Sequence, residues 1–226
     1  MKKYILAIAI SCSLLTVFAQ RIVDKQITVK PDTKIDLKLD FADSIHIKQS
    51  NDNILKVKVL VNINDNLHND KYELVTNQDN QYLDISAEIH DMNTIRVPCR
   101  NSKGSHYVNY DGNCLTMDIY YEIEVPQVSN IRIETICGNI IVDKGINPMQ
   151  LKSISGFIDL SIPSTSNLDI KIGTVTGGVY TNYVYNKDSD DWESHPCGTE
   201  AYIRIGKGGN KIRLETVSGD IYLRKL

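Results

Sequence analysis

Large aromatic anchors are scarce in this chain, with one Trp and three Phe among 226 residues. No stretch carries a 3.6-residue apolar period, which argues against an all-α fold and against amphipathic helices that coat membranes or partners. Past residue 19, no apolar run approaches the ~18 residues that a membrane-spanning helix needs. Basic charge is not in excess either. Lys and Arg total 25 against 28 Asp and Glu, with no basic stripe, so nucleic acid is not an expected partner. The G-x-S-x-G elbow, the phosphate loop and the dinucleotide fingerprint are all missing. Five histidines, at 46, 68, 90, 106 and 195, stand apart from one another, and only His195 has a cysteine close by, at 197. Neither they nor the cysteine spacings match a zinc site. No catalytic residue, cofactor or metal is therefore expected.

What the chain has in abundance is two-residue alternation. Ile35, Leu37, Leu39 and Phe41 share one parity, and Leu55, Val57, Val59, Val61 and Ile63 form a longer run. Leu83, Ile85, Ala87 and Ile89 follow, then Leu115, Met117, Ile119, Tyr121, Ile123 and Val125. Turn signals separate these runs: Asn51-Asp52-Asn53, Asp111-Gly112-Asn113, Asn147-Pro148 and the stretch 163–167. The pattern predicts an all-β protein.

The first 19 residues read as a secretory signal peptide. Met1-Lys2-Lys3 precede an apolar run, and Val17 and Ala19 set a cleavage site before Gln20. Cys12 suggests a lipoprotein alternative, which the apolar residues continuing past it (Leu14, Leu15, Val17, Phe18) disfavour. Without Lys2 and Lys3 the balance is 23 basic to 28 acidic residues, a net charge of −5. Four cysteines remain, at 99, 114, 137 and 197, and in an exported chain they allow three disulfide connectivities. Cys99 and Cys114 bracket a polar loop that a bridge could close. Cys137 is as plausible a buried free thiol as a bridge partner.

One phrase recurs four times: Thr/Ser, Ile/Val, a small residue, Gly, any residue, Ile/Val. Its glycines are Gly138, Gly156, Gly177 and Gly219, spaced by 18, 21 and 42 residues. A period near 20 residues is the mark of stacked repeats. The alternation shifts parity across each Gly: Ile212, Leu214 and Thr216 lead in, and Ile221 and Leu223 lead out. Such a shift means a corner or bulge, for which Gly is suited. The small residue before each Gly (Cys137, Ser155, Thr176, Ser218) fits a crowded inside bend. We expect structural corners at these four glycines and a β-solenoid over 126–226 with rungs of about 20 residues. Residues 20–125 form a less regular β-rich part, either irregular rungs or a capping sheet.

Two stretches depart from the phrase. Asp188, Asp190, Asp191 and Glu193 could gather around Ca²⁺, but they lack the Gly and terminal Glu of a calcium loop, so a solvated acidic loop is the better reading. Outward positions carry aromatics. Three residues after the repeat Gly stand Ile141, Asp159, Tyr180 and Tyr222, and Tyr183, Tyr185 and Trp192 are close in sequence to Tyr180. Exposed rings on a rigid sheet can stack on a sugar or a protein partner.

The phrase Glu215-Thr216-Val217-Ser218-Gly219-Asp220-Ile221-Tyr222-Leu223 resembles the bacterial "putative adhesin" families with β-strand repeats. The stretch from Tyr121 to Pro126 leading into Asn130–Thr135 is similar to the same families. The resemblance covers the C-terminal half well and the N-terminal half loosely. It implies an exported protein of the Bacteroidetes type with a right-handed β-helix-like fold, and it carries no catalytic residues. The expected function is non-catalytic adhesion or surface binding, with a glycan or cell-surface protein as partner. The alternatives are a periplasmic envelope scaffold or protein-interaction module, and a carbohydrate-active enzyme built on a β-helix.

Overall fold

A computed structural model describes residues 20–99, 106–110, 112–126, 130–145, 148–183, 192–195 and 198–226. Within 106–110 and 192–195 only the backbone course is described. The expected signal peptide, Cys12, Tyr185, Asp188, Asp190, Asp191 and Cys197 lie outside these residues.

The described residues form strands and turns, with one 3₁₀ turn at Asn69–Lys71 and no α-helix. In chain order the strands are β1 (Arg21–Thr28), β2 (Lys34–Lys38), β3 (Ser44–Gln49), β4 (Ile54–Ile63), β5 (Tyr72–Gln78), β6 (Tyr82–Ile89), β7 (Val97–Pro98), β8 (His106–Tyr110), β9 (Asn113–Val125) and β10 (Asn130–Thr135). They continue with β11 (Asn139–Val142), β12 (Met149–Ser155), β13 (Ile158–Ile162), β14 (Leu168–Thr176), β15 (Val179–Thr181), β16 (Trp192–His195), β17 (Gly198–Ile205), β18 (Asn210–Ser218) and β19 (Ile221–Lys225). The strand alternation read in the sequence is the alternation of burial. In β4, for example, every second residue from Leu55 to Ile63 is buried.

Two sheets share one apolar interior. The first runs β1-β4-β9-β3-β11-β13-β19-β15, with β7 and β8 also paired to β9. The second runs β16-β17-β14-β18-β12-β10-β2-β6-β5. Five units contribute one strand to each sheet: β2–β3, β10–β11, β12–β13, β18–β19 and β14–β15. Neighbouring units pair in parallel in both sheets. Their apolar residues meet in register: Leu37, Ile133, Leu151, Leu214 and Ile172 in one sheet, and Ile45, Ile140, Ile158 and Ile221 in the other. All nine are at most 1 % exposed. Parallel strands buried between layers favour this aliphatic-rich composition.

The β-solenoid expected from the repeats is not what the chain builds. In a solenoid, successive rungs stack in chain order. Here the last unit, β18–β19, lies between β12–β13 and β14–β15 in both sheets. Antiparallel strands flank the stack: β5 on β6, β4 on β9 with β1 beyond it, and β16–β17 on β14. Only β5–β6 and β16–β17 among these join consecutive strands; β1–β4, β4–β9 and β14–β17 bring together strands far apart in the chain, which an onward coil does not do. Both sheets also run through residue 125. The unit β2–β3 is one of the stack, while β9 joins β3 in parallel and carries β4 antiparallel beyond it.

The glycine corners have a definite cause. A Cβ built on Gly156 would lie 2.2 Å from the Gly138 carbonyl oxygen. One on Gly219 would lie 2.2 Å from the Gly156 oxygen, and one on Gly177 2.0 Å from the Gly219 oxygen. Gly138 stands against the Ala42 oxygen at 2.6 Å. The glycines form a column in which each backbone rests on the next. The small residue before each Gly is not on the inside of the bend: Ser155, Thr176 and Ser218 are exposed and Cys137 is half-buried. The buried small residue sits three places before the Gly. Ser153 Oγ donates to the Gly138 oxygen (2.9 Å), Thr174 Oγ1 to the Gly219 oxygen (3.0 Å) and Thr216 Oγ1 to the Gly156 oxygen (3.3 Å). Thus the corner carbonyls, which face the interior, gain buried donors.

Candidate functional site

The corner also fixes which side chains point outward. Residues three after each Gly align across the first sheet: Ile141 of β11, Asp159 of β13, Tyr222 of β19 and Tyr180 of β15. Because β19 is placed between β13 and β15, two residues 42 apart in sequence become cross-strand neighbours. The Tyr180 and Tyr222 rings stack with centroids 5.3 Å apart and planes 17° apart. Phe157 meets the edge of Tyr222 at 6.0 Å. Tyr180 is 53 % exposed, so one face of the stack is open to solvent.

An open groove of about 400 Å³ lies beside the stack, bounded by Tyr180, Tyr222, Asn182, Arg224 and Lys225. Polar contacts tie its wall together. Arg224 Nε donates to both Asp159 oxygens, at 2.7 and 2.9 Å, and the guanidinium lies 5.5 Å from the Tyr222 ring centre. This pairing raises the Arg224 pKa above its ordinary value. Asp220 accepts from the Gly178 amide at 2.8 Å and from the Tyr222 hydroxyl at 3.2 Å. Desolvation, then the contact with Asp220, raises the Tyr222 phenol above its usual range, so it remains a neutral donor at physiological pH.

The structure separates the aromatics grouped by sequence. Tyr180 and Tyr222 form the stack. Tyr183 is half-buried, its hydroxyl donates to the Ile162 carbonyl at 2.9 Å, and its ring packs against the core, with the Lys225 ammonium 6.0 Å from its centre. It braces the groove from below. Trp192 begins β16 opposite Ala201, in the other sheet from Tyr180. The sequence reading missed Phe157, Arg224 and Asn182. Arg224 held a usable signal, since it stands two residues after Tyr222 and so on the same sheet face.

Elsewhere, Cys99 and Cys114 form a disulfide with Cα atoms 5.1 Å apart. Cys137 is a free thiol whose pKa is raised by burial and then by Asp40 and Asp43. Among the described residues no group of three or more His, Cys, Asp or Glu is placed to hold a metal ion. Glu193 lies on β16, and its suggested calcium partners lie outside the described residues.

No family model matches the sequence, and neither does any curated protein. Solved structures do show similarity. A "putative cell adhesion protein" from Clostridium sporogenes aligns over 91 % of this chain and 100 % of its own, with a TM-score of 0.45 at 13 % identity. A "putative adhesin" from Bacteroides fragilis aligns over 92 % and 98 %, with a TM-score of 0.30 at 10 % identity. A second "putative adhesin", from Parabacteroides merdae, aligns over 71 % and 64 %, with a TM-score of 0.29 at 13 % identity. At such distances the function must be argued from this chain's own geometry.

Proposed function

We propose that this chain is an exported, non-catalytic binding protein of the adhesin kind, which presents the Tyr180–Tyr222 groove to a cell-surface glycan or protein. The observation that carries the reading is the exposed, pre-stacked tyrosine pair beside two cations on a rigid sheet. Aromatic faces held in place bind at low entropic cost, because their rotamers are already fixed. The groove's carboxylates support binding over catalysis: Asp159 is engaged by Arg224, and Asp220 by Gly178 and Tyr222. A general acid or base would need a carboxyl group free to meet substrate. Export is supported by the signal-peptide pattern and by the Cys99–Cys114 bond, which suits an oxidising compartment.

Tyr180→Ala should lower binding in a glycan-array or whole-cell adhesion assay at least tenfold while the melting temperature shifts little, since Tyr180 lies on the outer face. Binding at wild-type strength in Tyr180→Ala and Tyr222→Ala would overturn the assignment of this groove. Protease accessibility on whole cells tells surface display from a periplasmic location.

A further inference from the structure

The outer face of the second sheet carries a separate hollow of about 350 Å³, across β6, β2, β10 and β12. Its walls come from two adjacent rows. Tyr82 and Lys34 are cross-strand partners in one row, and Asp84, Asp36, Arg132 and Gln150 align in the other. Tyr82 is 45 % exposed. The Lys34 ammonium stands 5.3 Å from its ring centre. Arg132 Nη1 lies 3.7 Å from Asp36 Oδ2, and its Nη2 donates to Glu134 at 2.5 Å.

One atom is out of place. Asp36 Oδ1 is closed off from solvent and accepts no hydrogen bond. A buried acceptor without a donor is costly, so such an atom calls for an explanation. The other oxygen, Oδ2, stands 3.7 Å from Arg132 Nη1, beyond hydrogen-bond distance, so this carboxylate keeps acceptor capacity at the wall of the hollow.

The chemistry of the walls narrows the ligand. Lys34 and Arg132 stand among three carboxylates, Asp36, Asp84 and Glu134, so the hollow does not favour an anionic ligand. The exposed Tyr82 ring suits a flat apolar face. The alternating donors and acceptors around it suit a ring with hydroxyls at its edge. We propose that this hollow is a second binding site, which takes a neutral pyranose ring stacked on Tyr82 with a hydroxyl donated to Asp36 and others accepted from Arg132 and Gln150. It lies on the sheet opposite the Tyr180 groove, so one molecule would engage two ligands from opposite faces.

The test uses the mature chain and the methyl glycosides of glucose, galactose, mannose and N-acetylglucosamine, read by saturation-transfer NMR. At least one should give a transfer signal that Tyr82→Ala reduces fivefold or more and Asp36→Ala also weakens. The measurement is repeated on a Tyr180→Ala background, which removes the groove's contribution, and the signal that survives should still fall with Tyr82→Ala, which keeps this site distinct from the groove. Lys34→Ala, which uncovers the Tyr82 ring, should retain or strengthen it. Both Tyr82 and Lys34 are on the outer face, so melting curves should stay close to wild type. Absence of signal from all four glycosides, a signal indifferent to Tyr82→Ala, or binding only of charged sugars such as methyl glucuronide would each overturn the proposal.

Discussion

Gly219 and Gly173 lie on neighbouring strands or corners of one stack, yet they are glycine for different reasons. At Gly219 a methyl group would lie 2.2 Å from the Gly156 carbonyl oxygen, and backbone cannot step aside. Forcing a side chain in would push two units apart. At Gly173 a Cβ would meet nothing within 4 Å, and the backbone there is ordinary strand. Gly219→Val should therefore destabilise by about 3 kcal/mol, a loss of roughly 10 °C in melting temperature for a chain this size. Gly173→Ala should be neutral or stabilising by up to about 1 kcal/mol, because it removes backbone entropy from the unfolded chain at no steric cost. Melting curves of the two variants settle the contrast. Equal losses would mean that carbonyl contact is not what sets the corner.

At the scale of the element, the antiparallel β14–β17 pair is tied by one carboxylate. Asp169 accepts from the Tyr202 hydroxyl (2.7 Å), from Arg204 Nε (2.9 Å) and from the Gly209 amide (3.3 Å), so it ties both strands to the turn at 206–209. These donors, Tyr202 and Arg204 foremost, hold its carboxyl down at about 2. A lowered folded pKa means that the stabilisation is complete above the ordinary value near 3.8 and is lost as pH falls towards about 2. Asp169→Asn should flatten the fall in stability between pH 4 and pH 2 and speed amide exchange in β17 at neutral pH. An unaltered acid limb in denaturant titrations would show that the contact is too well solvated to matter. The strands themselves were legible because alternation reports burial directly. The corners were legible because a parity shift flags them. Which slot was buried was not. Ser155 and Ser153 are equally small, and only the direction of the neighbouring carbonyl decides that Ser153 faces inward. The groove was half legible: the tyrosines share a slot, but Arg224 and Phe157 matter only once β19 is known to lie between β13 and β15.

For the whole molecule, the question is what sets the order of the stack, since four units share one phrase and one register. The slot just after each Gly supplies the answer. Asn139 accepts from the Phe157 amide at 3.2 Å, and Asp220 accepts from the Gly178 amide at 2.8 Å. If β14–β15 stacked directly on β12–β13, the Gly178 amide would face Phe157, which cannot accept. Asn182 would stand beside Ser161 where Arg224 now does, and Asp159 would lose its cation. Chain-order stacking is therefore penalised by polar groups, although the apolar interior would tolerate it. Removal of residues 210–226 tests this directly. In a solenoid, loss of the terminal rung shortens the stack and costs one interface. Here it removes Ile212, Leu214, Ile221 and Leu223 from the middle of the core, each at most 1 % exposed. At about 2 kcal/mol each, their loss approaches the whole stability of an ordinary domain. The truncated chain should show no cooperative melting transition and should bind a hydrophobic dye. Removal of the edge strand β1 through a start at Lys30 should leave a cooperative, if weaker, transition. A truncated 20–209 chain that melts cooperatively within a few degrees of wild type would mean that the units can close up, and that the slot after the glycine does not set their order.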